Sequence, residues 1–135
     1  MENYFIEKDI KVFCVIASSF PAGIKKAYET LHALLPSAKG RKFFGLSWSA
    51  GNGEIIYKAA VEELYAGEGE KYSCEYFTVK KGEYTSEMLI DWQKDEMQVG
   101  RTFRQLLSHP DIDRKGYCLE EYLNDKDMRC MVPLE

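Results

Sequence analysis

The chain has 135 residues, 45% of them hydrophobic and 30% charged, which is the make-up of an ordinary soluble domain large enough to bury a core. Its net charge is −4, and the basic residues come in scattered pairs (Lys25-Lys26, Arg41-Lys42, Lys80-Lys81), so the concentrated footprint of a nucleic-acid surface is excluded. No apolar run approaches a membrane span and the acidic start "MENYFIEKD" is unlike a signal peptide, so a cytoplasmic protein is expected.

In chain order, "IKVFCVI" (10–16) is a β-branched and aromatic run, expected as a strand. "FPAGIKKAYETLHALLP" follows with Ile24, Ala27, Tyr28, Leu31, Leu34 and Leu35 at helical spacing, opened by Pro21 and stopped by Pro36. "KFFGLSW" (42–48) and "IIYKAAVEEL" (55–64) flank the glycine-rich "SAGNGE" and predict a hairpin. Beyond the polar connector "AGEGE" (66–70) the order recurs. "CEYFTVKKGEY" (74–84) predicts a strand, and residues 86–107 carry a helical stripe of Leu89, Trp92, Val99, Phe103, Leu106 and Leu107, with a break near Glu96. The closing "CLEEYLNDKDMRCMVPL" predicts a second hairpin around Asn124–Asp127. Each half is thus β-α-β-β, with a weak self-match at a shift of 64 residues (Phe13 on Phe77, Val15 on Val79).

Neither half alone covers both its helix and its strands. The expected architecture is a single α+β domain of two repeats, about 10–64 and 74–135, sharing one antiparallel sheet. Two helices cover one face, and the other face is left with a concave groove for a ligand. Four cysteines (Cys14, Cys74, Cys118, Cys130) lack CxxC spacing and read as free buried thiols. No metal site is expected, because His32 and His109 are not spaced for zinc, and no motif for another cofactor is present.

In the first strand of the closing hairpin, alternation sends Glu120 and Glu121 to opposite faces. The terminal hairpin is the specific part of a resemblance that extends over nearly the whole chain. In it an apolar residue, Glu120, any residue and Tyr122 lead to an Asn-Asp turn and a strand ending in Pro133-Leu134; "KKGEY" before the second helix fits as well. With the duplicated β-α-β-β order, it resembles the GyrI-like small-molecule-binding domain, which also occurs as the effector-binding half of some bacterial transcription regulators, and the resemblance implies multidrug binding. The resemblance implies that Glu120 lies on the floor of a pocket and meets cationic or polar parts of a ligand. Glu121 departs from the family's apolar residue at that position, and a register slip would exchange the two glutamates.

The expected lining of this pocket is Phe20, Trp48, Tyr57, Tyr84, Trp92 and Tyr122, with Tyr122 and Trp48 as the stacking surface. An aromatic residue in a stripe is more often core than cleft, and by that measure Trp92 is expected to be half packing. The expected function is reversible binding of a small lipophilic, cationic or aromatic molecule. Two alternatives stay open: a hydrolase of electrophilic compounds using Glu120 as base, and a protein-binding inhibitor of the gyrase type. No helix-turn-helix reader of DNA is expected, and a homodimer or another protein partner is left open. Ser108, His109 and Asp111 cluster in sequence, but a helix end running into a proline turn explains them better than a triad does. His32 reads as a partly exposed histidine rather than a haem ligand.

Overall fold

The computed structural model describes all residues, 1–135. Strands β1 (Glu2–Ile6), β2 (Ile10–Ile16), β3 (Phe43–Ser49), β4 (Ile55–Glu62), β5 (Glu75–Val79), β6 (Gly82–Leu89), β7 (Cys118–Tyr122) and β8 (Met128–Pro133) form one antiparallel sheet in the order β1-β6-β8-β7-β3-β4-β2-β5. Helix α1 spans Ile24–Leu34, α2 is a single turn at Glu68–Lys71, and α3 spans Met97–Leu106 after a 3-10 turn at Trp92–Asp95. No helix is long and apolar enough to cross a membrane.

The α+β class and the single antiparallel sheet are as the patterns predict. Several element bounds differ. The single strand predicted over 74–84 is two, β5 and β6, with a corner at residues 80–81. Residues 86–89, predicted to open the helix, are the end of β6, because they pair with β8. The predicted break near Glu96 is where the 3-10 turn gives way to α3. Residues 2–6, unremarked in the sequence, supply an edge strand, so each half has four strands. Equivalent elements lie 73 residues apart: α1 begins at residue 24 and α3 at 97, β4 at 55 and β8 at 128. The shift of 64 instead superimposes β2 on β5, which are neighbours in the sheet rather than equivalents.

Two short connectors curl the sheet. Residues 7–9 join β1, first in the order, to β2, seventh; residues 80–81 join β5, eighth, to β6, second. Four chain steps reach at most about 14 Å, whereas six strand spacings in a flat sheet would span about 29 Å. The sheet therefore wraps into a half barrel with these two corners side by side, where the Lys81 N–H donates to Asp9 Oδ1 at 2.8 Å. Inside the wrap, Ile6, Val12, Cys14, Phe44, Leu46, Ala60, Val79, Tyr84, Leu119 and Met131 form one buried cluster drawn from all eight strands. Outside it, α1 covers Phe13, Ala59 and Val61, while α3 covers Leu89, Met128, Cys130 and Val132.

Candidate functional site

Helix α1 packs over β2 and β4, and α3 over β6 and β8, so the two central strands β3 and β7 form the floor between the helices. Strand alternation decides what that floor presents. Phe43, Gly45 and Ser47 of β3 pair with Tyr122, Glu120 and Cys118 of β7, all on the outer face. Phe44, Leu46 and Leu119 point the other way, into the wrap. Glu120 thus stands on the helix-bearing face, between the helices, and not in the hollow where the pocket was expected. The hollow end of this strand pair carries Glu121, whose register partner on β8 is Arg129. Burial raises the Glu121 carboxyl, and the Lys42 and Arg129 charges oppose that shift.

Gly45 makes the geometry around Glu120 possible. A Cβ at this position would collide with Tyr57 Oη and Glu120 Oε1 and would sit 2.8 Å from Tyr57 Cζ. Without one, the Tyr57 ring on β4 reaches across β3 and donates to Glu120 Oε1 at 2.6 Å. Tyr122 Oη donates to the same oxygen at 2.9 Å. Tyr28, reaching down from α1, lies 2.9 Å from Tyr57 Oη and donates to the Phe44 carbonyl at 2.7 Å.

Rings enclose the carboxyl in a continuous series. Phe20 lies 6.1 Å from Tyr57, Tyr57 6.2 Å from Tyr28, Tyr28 5.4 Å from Tyr122, and Tyr122 5.9 Å from Trp92, centroid to centroid. These are ordinary edge-to-face and tilted aromatic separations. The series runs from the loop before α1 to the turn before α3, and it closes over the junction of the two halves.

The electrostatics are unusual for a buried acid. Glu120 is 9% exposed, and no Lys, Arg or His is paired with it. Desolvation raises its carboxyl above the ordinary range, and the hydrogen bonds from Tyr57 and Tyr122 offset only part of that. Burial, with the nearby carboxylate adding to it, pushes the Tyr57, Tyr28 and Tyr122 phenols up, so all three stay protonated donors. Oε2 accepts no protein hydrogen bond, yet Arg129 Nε is the chain's only sealed side-chain polar atom without a partner. Oε2 is therefore not sealed by protein atoms.

Glu68 gives the contrast. It is 1% exposed and receives a bidentate grip from Arg41 (2.6 and 2.9 Å) plus the Leu64 N–H at 3.0 Å. That pairing holds its carboxyl below the usual range. Where this chain buries an acid for structure, it supplies a cation. At Glu120 it supplies phenols only.

Of the residues singled out in the sequence, Glu120, Tyr122, Tyr57, Trp92 and Phe20 come together here. Trp48 and Tyr84 do not, because alternation turns both to the inner face. Trp48 stacks on Phe77 at 6.1 Å, and Tyr84 bonds Tyr117 Oη and the Lys80 carbonyl, each at 2.7 Å. Tyr28 and Gly45 join the site as well; the helical spacing marks Tyr28 only as a packing position of α1, and a lone glycine in a strand is the one sequence sign of a close approach. Ser108 Oγ donates to the Gln105 carbonyl and His109 Nδ1 accepts from the Asp111 N–H, so these residues finish α3 and its loop and form no triad. His32 is exposed and stacks on Phe43 at 4.5 Å. No cluster of His, Cys, Asp and Glu has the makings of a metal site.

No family model matches the chain, and no curated protein sequence matches it. Solved structures do. An integron cassette protein from the mobile metagenome of Vibrio cholerae superimposes with a TM-score of 0.74 at 10% identity, covering 99% of this chain and 95% of its own. SAV2435, solved bound to tetraphenylphosphonium, gives 0.67 at 12% identity over 100% and 94%. A hydrolase from Listeria innocua gives 0.64 at 13% identity over 99% and 90%. At these identities the likeness is one of fold: a curled antiparallel sheet with helices outside it, in a form that in one case holds a small molecule.

Proposed function

We propose that this protein binds a small lipophilic, aromatic cation between its two helices, with Glu120 supplying the charge. Tyr57, Tyr122, Tyr28, Trp92 and Phe20 would supply ring faces. One observation carries the reading: a buried carboxyl ringed by aromatics, with one oxygen pinned by phenols, the other open, and no cation of its own. Ion pairing strengthens as water is excluded, and each ring face adds about 0.5–2 kcal/mol of cation–π attraction. Phe20, 47% exposed, stands at the mouth of the ring series. A fold neighbour bound to tetraphenylphosphonium supports this ligand class and supplies the probe.

The test is titration of tetraphenylphosphonium followed by tryptophan fluorescence. Saturable quenching that disappears in Glu120→Gln, and whose signal is lost in Trp92→Phe but kept in Trp48→Phe, is the expected result. Superimposable curves for wild type and Glu120→Gln would refute it.

A hydrolytic reading of the same site draws on the open Oε2 of an acid whose pKa is raised, which suits a general base, and on the hydrolase among the fold neighbours. Turnover of an electrophilic test compound beyond one equivalent, abolished in Glu120→Gln, is what that reading requires.

A further inference from the structure

The hydrogen bonds around Glu120 can be counted proton by proton. Four close contacts link Glu120 to the phenols around it and on to a backbone carbonyl: Tyr28 to the Phe44 carbonyl (2.7 Å), Tyr28 to Tyr57 (2.9 Å), Tyr57 to Glu120 Oε1 (2.6 Å) and Tyr122 to Glu120 Oε1 (2.9 Å). Each phenol owns one proton and the carbonyl owns none. With Glu120 ionised, three protons face four contacts. Tyr28 must then choose between Phe44 and Tyr57, and one contact at hydrogen-bond distance joins two bare oxygens. With Glu120 protonated on Oε1, the Tyr57–Glu120 bond reverses and each of the four contacts has its proton: Glu120 donates to Tyr57, Tyr57 to Tyr28, and Tyr28 to the Phe44 carbonyl, while Tyr122 donates to Oε1. The Tyr57–Tyr122 contact, longer at 3.3 Å, has no proton of its own in either state.

We infer that the ligand-free site is a neutral, proton-sharing chain from Glu120 through Tyr57 and Tyr28 to the Phe44 carbonyl, and that a cation binds by exchange for one proton. The exchange balances: the acid and the free cation become a carboxylate–cation pair and one released proton, and no covalent bond other than O–H changes. It rests on the binding reading above and adds to it a ligand class, permanent cations, and a dependence on pH.

The surroundings agree with a neutral resting site. From α1 the only titratable group facing Glu120 is Tyr28, and from β4 it is Tyr57. From β7 they are Tyr122 and Cys118, and from β8 it is Cys130; β3 contributes Gly45. None carries positive charge. The two thiols stay protonated, Cys118 pushed up to about 11 by burial and Cys130 also raised. Desolvation, the largest influence on Glu120, acts in the same direction as the proton count.

Below the pH at which free Glu120 ionises, apparent affinity for a permanent cation falls about tenfold per pH unit; above it, affinity is flat. Two measurements on the full chain test this. Infrared difference spectra of ligand-free wild type and Glu120→Gln at neutral pH should show a protonated-carboxyl band that belongs to Glu120 and vanishes as tetraphenylphosphonium is added. Calorimetric titration of the same cation in buffers of different ionisation enthalpy should show release of about one proton per cation bound, and none in Glu120→Gln. Tyr28→Phe keeps the ring but removes the chain's last link, so two phenol protons suffice for an ionised Glu120. Its binding midpoint should move to lower pH, with fewer protons released at neutral pH. A missing band in the ligand-free protein, or cation uptake without proton release at any pH, overturns the exchange. An unmoved midpoint in Tyr28→Phe overturns the role of the chain. A band without uptake of the cation overturns instead the binding reading on which the exchange depends.

Discussion

Replacing Gly45 with alanine places a methyl group where Tyr57 and Glu120 now touch, since the new Cβ would collide with both Tyr57 Oη and Glu120 Oε1. Neither neighbour is a free end. Tyr57 is 1% exposed and hydrogen-bonded to Tyr28, Glu120 and, at 3.3 Å, Tyr122, and Glu120 is held by two phenols. Overpacking of this kind costs about 1–3 kcal/mol, and separating a buried charge-assisted or carboxyl hydrogen bond adds about 1.5–3 kcal/mol. Alanine outdoes glycine in a strand by about 0.5–1 kcal/mol, which offsets part of this. The net expectation is a destabilisation of about 2–4 kcal/mol, or roughly 10 °C in Tm for a chain of this size. Urea unfolding monitored by circular dichroism measures it. Gly100→Ala is the control: its Cβ would meet nothing nearer than Arg104 Nη1 at 3.9 Å within α3, so it should stabilise by about 1 kcal/mol through helix propensity. If Gly45→Ala folds within about 0.5 kcal/mol of wild type and still binds tetraphenylphosphonium, the close approach of Tyr57 and Glu120 over β3 is not what builds the site.

Glu120→Gln mimics the neutral acid, so it should become progressively more stable than wild type as pH rises. The native carboxyl is raised, which makes its contribution complete below the unfolded pKa and lost as pH climbs through the folded one; unfolding free energies across pH check the widening gap. Arg41→Met leaves Glu68 buried without its cation and should cost about 3–5 kcal/mol, whereas Arg41→Met with Glu68→Leu should recover most of it. Because Arg41 holds the Glu68 carboxyl down, that contribution is present above the unfolded pKa and disappears as pH falls through the folded value. Acid unfolding of the double variant should therefore begin at lower pH. Cys14, pushed up to about 12 by burial, Cys118 at about 11 and Cys130, also raised, should label slowly with thiol reagents in native protein and fast in urea, read by mass spectrometry.

Local pattern alone was enough for one long helix in each half, for the terminal hairpin, and for the statement that Glu120 and Glu121 part company across β7. It was enough because alternation and helical stripes are properties of neighbouring residues. The same patterns misplace residues 86–89, whose Leu89 fits a helical stripe yet is held as strand by its pairing with Met128 of β8. Which face of a strand meets a helix depends on sheet order, and no residue near Trp48 or Tyr84 announces that these rings turn inward while Tyr28 arrives from α1. The curl depends on two connectors of two and three residues joining strands six places apart, a constraint invisible until the order is known. The site itself needs Gly45 opposite Glu120 and Tyr57 one strand further on, 63 residues from its acid. Such a coincidence belongs to register across the two halves, and only the folded sheet sets that register.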